Sequence, residues 1–364
     1  MSYFWSILGL ALLMIVHESG HFLAARAFGL RVTRFSIGFG PTLAKVTPKD
    51  GYFWLTLLAD RFKIRLFKHD PKRHGETIYQ VAIIPFLAYV QIAGMNPLED
   101  IDEEDRSSYA NASLVARVVT IFSGPLANYL FASVFFFVSL FFGGMQDPTS
   151  TQVEVIEDQP AIHADMRTGD QLLTIAGEHV SDWHDVSTVI KKHPAESIPF
   201  VVRRDGAEVT LHVTPANDSG RGMIGVLPMK HPLPAAQSLK LALTDPPLVV
   251  RDVAVGLAET ITGKQKPEFM GPIGMVKETA KAAHQSWTDL AKLLGIISAY
   301  LGAFNLIPFP ALDGGRLMFL GYEATTRRRA NARIEAHIHA IGLVMMISLM
   351  LYITVAKDLG FGLK

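Results

Sequence analysis

The chain of 364 residues contains no cysteine. Disulfide bonds are therefore excluded, and any metal ion must take its ligands from histidine, aspartate or glutamate. Net charge is also lacking, since 34 basic residues balance 34 acidic ones, so the composition gives no reason to expect a nucleic-acid partner. The N-terminus has no basic segment ahead of its first apolar run, which argues against a cleaved signal peptide and predicts a retained membrane helix.

Apolar residues are abundant, at 49% of the chain. This proportion predicts a few membrane helices combined with soluble parts. The apolar runs predict four such helices, at about 3–28, 113–142, 287–312 and 341–356. Arginines follow the first and third runs, and basic residues beside a membrane helix mark its cytoplasmic end. Both termini and residues 150–228 are therefore expected outside.

One short motif, H-E-S-G-H at residues 17–21, lies inside the first predicted membrane helix. Histidines one helical turn apart share a face, so His17 and His21 can bind one metal ion, and Glu18 beside them can act on an attacking water. The pattern alone also occurs by chance. An ionisable residue near a bilayer centre costs about 2.5–3.5 kcal/mol, however, and a metal with a polar cavity compensates for it. The membrane context therefore favours a metal site.

A third ligand is predicted farther along the chain. Residues 305–315 read N-L-I-P-F-P-A-L-D-G-G, and the two prolines must break the third membrane helix. Broken backbone at membrane depth survives only where protein buries it or where it lines a watery cavity. Asp313 would then complete a site with His17 and His21 that keeps one position open, as catalytic zinc sites do. The alternative is that Asp313 caps the helix beginning at Gly314.

The second predicted membrane helix carries Gly124 and Asn128, which lie four residues apart and therefore on one face. The glycine would allow close approach to the first helix. For Asn128, an ordinary hydrogen bond between helices remains the alternative to a functional role.

The region between the first two helices, residues 31–113, is predicted to be β-rich. Apolar β-like stretches occupy 52–67 and 77–93, and Pro85 indicates an edge or a bend. Residues 35–41 contain two glycines that would permit a tight turn.

Two further segments are less apolar. Residues 150–228 are predicted to form short strands, with a hairpin turn at 204–207, in a soluble domain. Residues 229–286 are predicted to carry amphipathic helices, the first of them interrupted by Pro246 and Pro247.

Taken in order, these motifs resemble the site-2 protease family of intramembrane zinc metalloproteases, and most of all its bacterial regulator-of-sigma-E protease branch. Residues 17–21 match the HExxH of that family, Gly124 and Asn128 match GxxxN, and residues 305–314 match NxxPxPxLDG. The resemblance extends over nearly the whole chain. It implies Zn²⁺ ligation by His17, His21 and Asp313, catalysis by Glu18, and supporting roles for Asn128 and Asn305.

The resemblance also implies the fold. Residues 150–228 look like a bacterial PDZ domain, although the best-known relatives carry two such domains and this chain has room for one. The expected architecture is an α-helical membrane protein with four transmembrane helices, a small membrane-associated β region on the cytoplasmic side, and an inserted extracytoplasmic PDZ domain. Its expected parts are a first membrane half at 1–149, the PDZ domain at 150–228, linker helices at 229–286 and a second membrane half at 287–364.

The implied activity is hydrolysis of a peptide bond within or near a substrate transmembrane segment in the bacterial inner membrane. Relatives cut anti-sigma factors and signal-peptide remnants, and an upstream site-1 protease is a candidate partner. Two alternatives compete: a proton-coupled secondary transporter, and a catalytically inactive PDZ scaffold. Because a transmembrane substrate must unwind, residues 86–93 are further predicted to offer an open strand edge to which it adds as another strand.

Overall fold

The computed structural model describes residues 1–57, 61–71, 75–96, 98–99, 102–264 and 270–359. Some predicted segments extend beyond the described residues, at 58–60, 72–74, 97 and 100–101 of the β-rich region, at 265–269 of the linker, and at 360–364. The chain forms two compact units. One comprises Met1–Val138 with Leu239–Lys364, and the other comprises Ser139–Ser238.

Helices and strands are numbered along the chain. The helices of the described residues are α1 (Ser2–Ala27), α2 (Leu114–Val138), α3 (Pro160–His163), α4 (Trp183–Lys192), α5 (Ala235–Ile261), α6 (Pro272–Gln285), α7 (Trp287–Asn305), α8 (Asp313–Thr326) and α9 (Ala332–Ile353). The strands are β1 (Val32–Lys49), β2 (Tyr52–Leu57), β3 (Phe62–Lys68), β4 (Ile78–Ile92), β5 (Met145–Gln146), β6 (Val153–Val155), β7 (Gln171–Ile175), β8 (Glu178–His179), β9 (Ile198–Arg204), β10 (Ala207–Val213), β11 (Ala216–Asp218), β12 (Arg221–Met223), β13 (Val226–Pro228) and β14 (Lys230–His231).

Among the described residues, three helical segments are long and apolar enough to cross a membrane: Ser2–Ala27, Leu114–Gly143 and Ala332–Asp358. They coincide with the first, second and fourth predicted spans. The third prediction falls on α7, which has 19 residues and carries Asp289 and Lys292 near its start. These charges shorten the apolar part of α7 to about 13 residues, or roughly 20 Å at 1.5 Å per residue. A fourth crossing therefore stays a prediction.

The first unit contains a four-stranded antiparallel sheet in the order β3-β2-β1-β4. β1 reverses direction near Gly38 (φ 90°) and Gly40 (φ 95°), where the sequence predicts a turn, since Tyr79 of β4 pairs with Phe35 on one side and with Val46 on the other. The reversal is wide rather than tight because residues 79–81 of β4 lie between its two arms, and a Cβ at Gly38 would lie 2.7 Å from the carbonyl oxygen of Ile84 on β4.

β4 folds back on β1, so that two arms of one strand flank the other. Phe35 pairs with both Tyr79 and Val90. The arm 78–84 lies between two parts of β1, whereas the arm 88–92 has a strand partner on one side only within the described chain. This sheet therefore ends in an edge at 88–92, inside the range 86–93 where the sequence predicts one.

The helix packing depends on glycine. A Cβ at Gly20 of α1 would overlap the carbonyl oxygen of Ser123 on α2, so the two backbones lie in direct contact there. α8 is fixed to α2 by a bidentate salt bridge, in which the two terminal nitrogens of Arg117 lie 2.8 and 2.6 Å from the carboxylate oxygens of Glu323. Bidentate charged pairs of this kind fix orientation as well as distance.

α5 differs from the prediction that Pro246 and Pro247 interrupt it, because the helix continues through both prolines. Ala242 and Val249, on either side of them, pack against one apolar cluster that includes Phe136. Packing on both sides offsets the backbone hydrogen bonds that the prolines remove.

The second unit contains a sheet in the order β10-β9-β7-β8. β9 and β10 join through Asp205 and Gly206, both with positive φ, as a two-residue hairpin turn requires. Asp170, with a side chain only 1% exposed, receives two hydrogen bonds from Arg204 (2.8 and 2.7 Å). The core lies between this sheet and α4 and includes Val153, Leu172, Ile175, Val186, Phe200 and Val202.

Candidate metal centre

Two imidazoles and one carboxylate meet between α1 and α8. The Nε2 atoms of His17 and His21 lie 3.2 Å apart, and each faces Oδ2 of Asp313, at 3.2 and 3.3 Å respectively. All three side chains are shielded from solvent, with exposed fractions of 8%, 5% and 14%. Of the described residues, these three form the group of potential ligands close enough to share one metal ion.

The separations fit a zinc ion. Zinc binds imidazole nitrogen and carboxylate oxygen at about 2.0–2.2 Å in tetrahedral sites, which places neighbouring ligand atoms about 3.3 Å apart. The three observed separations match this value. Oδ2 of Asp313 is moreover buried without a conventional hydrogen-bond donor. A carboxylate oxygen directed at two imidazole nitrogens is costly unless a proton or a cation lies between them, and a shared metal ion supplies that charge.

The position of His21 leaves its Nε2 atom free for a metal. Its Nδ1 lies 2.8 Å from the carbonyl oxygen of Thr120, which can only accept, so Nδ1 carries the proton and Nε2 carries the lone pair. The ring lies over Gly124, where any Cβ would overlap it. Gly124 thus creates space for an imidazole as well as for close helix packing.

The Nδ1 atom of His17 faces Asn128, which is fully buried. The Nδ2 atom of the Asn128 amide lies 3.3 Å from Nδ1 of His17, and its Oδ1 atom has no hydrogen-bond partner among the described residues. A metal at Nε2 requires a proton on Nδ1, and only Oδ1 of the amide can accept it. Rotating the amide by 180° places Oδ1 there and gives His17 the metal-binding tautomer.

Asp313 is the first residue of α8, and its side chain does not cap that helix. The alternative left open by the sequence is therefore not what the structure contains, since the carboxylate faces the two histidines. Gly314 and Gly315 allow this arrangement, because a Cβ on either would overlap the carbonyl oxygens of Ile307 or Phe309.

Glu18 lies beside the two histidines without joining the three-residue cluster. Its Oε2 accepts a hydrogen bond of 2.9 Å from the backbone N–H of Val90, on the arm 88–92 of β4. This contact orients the Glu18 carboxylate. It also shows that the open edge of the arm 88–92 faces Glu18.

Compared with models of protein families, residues 5–60 and 56–349 match the family described as "Peptidase family M50". The chain belongs to peptidase family M50. The M50 chain is 28% identical over 395 residues to the zinc metalloprotease RasP of Geobacillus kaustophilus, with 94% of each chain covered. It is 28% identical over 362 residues to a putative zinc metalloprotease of Fusobacterium nucleatum, with 98% of each covered, and 25% identical over 397 residues to RasP of Bacillus licheniformis, with 94% of this chain and 95% of that one covered.

Family membership confirms several predictions from the sequence. The M50 chain is a zinc metalloendopeptidase with Zn²⁺ as its cofactor, and its three apolar helices belong to a membrane protein. An enzyme of this class is neither the transporter nor the inactive scaffold that the sequence leaves open as alternatives.

Asn305, also predicted as a site residue, makes its one recorded hydrogen bond within its own helix, and its supporting role stays a prediction. Its Nδ2 donates to the carbonyl oxygen of Leu301 on its own helix, at 3.0 Å. Sequence reasoning does not identify Thr120, Val90 or His339 as neighbours of the site. The first two contribute backbone atoms, which carry no residue signature, and His339 lies on a helix whose contact with the site depends on the folded chain.

Proposed function

We propose that this M50 protease hydrolyses a peptide bond within or near the transmembrane segment of its substrate, with His17, His21 and Asp313 as zinc ligands. The observation that carries the proposal is the placement of both histidines and Glu18 on α1, which is long and apolar enough to cross a membrane. Chemistry built into a membrane helix meets substrates that are themselves in the bilayer.

When bound, zinc supplies a Lewis acid that acidifies a water molecule and polarises the scissile carbonyl. The residues of the chain supply the rest. Glu18 accepts the proton of the attacking water and delivers it to the leaving amine, while the Val90 N–H holds the carboxylate in one orientation. Thr120 and Asn128 hold the two imidazoles in the tautomer that leaves Nε2 free.

The substrate is proposed to bind as an added strand. A transmembrane helix satisfies its backbone internally, so unwinding it in a dry site requires replacement hydrogen bonds. The arm 88–92 offers an open edge beside Glu18, and a cleft of about 740 Å³ lies between this arm and residues of α8 and α9, including Arg316, Glu335 and His339. That volume is typical of ligand-binding clefts.

The remaining organisation is also a proposal. It has four crossings in the bacterial inner membrane, with α7 as the third, and an extracytoplasmic PDZ domain formed by residues 150–228. The domain would screen substrates, either by excluding bulky ectodomains or by binding a carboxyl terminus newly exposed by a site-1 protease.

The decisive experiment uses purified protein reconstituted in liposomes with a transmembrane peptide substrate. Glu18→Gln should abolish cleavage while zinc content stays at the wild-type level, because the change removes a proton carrier and not a ligand. Glu278→Gln, the same change at an exposed position on α6, is the matched control and should cut normally.

Mass spectrometry of the products then locates the cut. Cleavage by Glu18→Gln at the wild-type rate would refute the role of Glu18. A cut well outside the apolar segment of the substrate would refute hydrolysis at membrane depth.

A further inference from the structure

α9 contacts the loop that precedes Asp313 at two residues one helical turn apart. Nδ1 of His339 accepts a hydrogen bond of 3.0 Å from the backbone N–H of Ala311. At Gly342, a Cβ would overlap Pro310. One face of α9 therefore lies directly against the loop 306–312.

The loop holds Ala311 in an unusual conformation. Its φ is 72°, in the left-handed region, which is unfavourable for a residue with a Cβ. Hydrogen bonds within the loop join Phe309 to Ile307 (2.7 Å) and Leu312 to Phe309 (3.2 Å), but the N–H of Ala311 bonds to His339 instead. Since Asp313 follows two residues later, the conformation of Ala311 sets the direction in which the carboxylate enters the site.

The hydrogen bond also defines the state of the His339 ring. A backbone N–H can only donate, so Nδ1 must present a lone pair and the proton of the neutral ring lies on Nε2. Nε2 is buried and has no hydrogen-bond partner among the described residues. An unpaired buried polar group is destabilising, and an apolar side chain packed against Phe319 in the same place would avoid that cost. What the imidazole contributes is thus its acceptor at Nδ1.

We propose that His339 is a positioning residue of the zinc site, which acts by holding Ala311 in its left-handed conformation and so fixes the entry of Asp313. The inference rests on the proposed role of Asp313 as a zinc ligand. His339 itself touches neither the metal ligands nor Glu18 in any recorded contact.

The test compares two amides at this position. In His339→Asn, the side-chain oxygen occupies the place of Nδ1 and can still accept from Ala311. In His339→Gln, the oxygen reaches the place of Nε2 and cannot. Both variants are polar and similar in size, so a merely structural role for the ring would affect them alike. His337→Leu is the control, since His337 is exposed on the same helix and bonds only to the Arg333 carbonyl oxygen of that helix.

Zinc affinity is measured by competition with a chelator, on full-length protein in detergent, and the visible spectrum of the Co²⁺-substituted protein reports the geometry of the site. We expect His339→Gln to bind zinc about 10- to 100-fold more weakly and to alter the Co²⁺ spectrum, and His339→Asn to stay within about threefold of wild type. His337→Leu should match wild type. For cleavage, kcat should fall in His339→Gln and be retained in His339→Asn.

Equal zinc affinity in the Asn and Gln variants would overturn the proposal, whether both match wild type or both are impaired. Asp313→Asn, measured in parallel, separates this failure from failure of the proposed ligand set. If Asp313→Asn loses zinc while the two amide variants behave alike, only the role of His339 is refuted. If Asp313→Asn retains full zinc affinity, the ligand set itself is wrong.

Discussion

The open edge at 88–92 makes a prediction about the substrate that leaves the protease untouched. Successive residues of a strand point their N–H groups to opposite edges. The N–H of Val90 points away from β1 and toward Glu18, so Ala88, two residues earlier, presents its backbone groups to the same open edge. A substrate strand paired there must use every second backbone amide for the contact.

This can be tested with a series of transmembrane peptides. In each peptide one backbone amide, among the six residues around the scissile bond, is N-methylated. Each methyl removes one donor. A backbone hydrogen bond contributes about 1 kcal/mol net, so a methyl at an edge-facing amide should lower kcat/KM about fivefold, and nearer to 100-fold if the partner carbonyl is left buried and unpaired. A methyl at the intervening amides should have little effect. The signature is an alternation with a period of two.

The same edge can be tested from the side of the protease. Proline at Val90 would remove the partner of Glu18 together with an edge donor, so its effect would be ambiguous. Ala88→Pro removes an edge donor alone, and Ala88→Val keeps the N–H as the matched control. The proline variant should lose activity on unmodified peptide while it retains zinc, whereas the valine variant should cut normally.

The assay follows product formation by mass spectrometry in liposomes, with the zinc content of each variant measured. Equal cleavage of all N-methylated peptides, or losses without a period of two, would remove strand addition from the mechanism. The zinc chemistry and the role of Glu18 would be unaffected by that outcome.

Two further predictions concern carboxylates. Asp313→Asn should abolish cleavage and release zinc, as metal analysis will show, because a neutral amide is a poor ligand; wild-type zinc content and activity together would mean that another residue is the third ligand. Asp170→Asn should destabilise the second unit by about 1–3 kcal/mol, measured by hydrogen exchange of its amides in the full chain, because it removes the buried charged partner of Arg204, which keeps its contacts with Asp165. Although burial alone would raise the pKa of the Asp170 carboxyl, the Arg204 guanidinium and the Arg167 N–H hold that pKa below its usual range. The stabilisation is therefore present above the pKa of the unfolded chain and is lost as pH falls through the folded value, and Asp170→Asn should remove this pH dependence; an unchanged acid transition would contradict it.

Short sequence patterns are enough to predict the three proposed zinc ligands. Two histidines four residues apart share a helix face whatever the rest of the fold does, so His17 and His21 could be paired from the sequence. Asp313 could be added because two prolines in an apolar segment imply broken backbone, and broken backbone at membrane depth has few tolerated uses. Both arguments need only the geometry of a few consecutive residues.

Contacts set by the folded chain were beyond those patterns. The sequence predicts a turn at residues 35–41, and β1 does reverse there, but no local pattern indicates that the arm 78–84 of β4 lies between its two parts. The pairing of Phe35 with both Tyr79 and Val90 involves separations of 44 and 55 residues. Strand preference identifies such segments but does not specify which of two possible partners each edge takes.

The glycines link the packing of the helices to the chemistry of the site. Gly20 brings α1 against α2, and Gly124 on α2 then provides the space that the His21 ring fills. The same close approach places the Thr120 carbonyl within 2.8 Å of that ring, which selects its tautomer. A substitution of Gly124 would thus displace a proposed ligand through simple overlap, although the residue contributes no chemical group. The close approach of α1 and α2 thus sets the position of the His21 ring and the nitrogen that carries its proton. The glycines in the sequence show only that such an approach is sterically allowed.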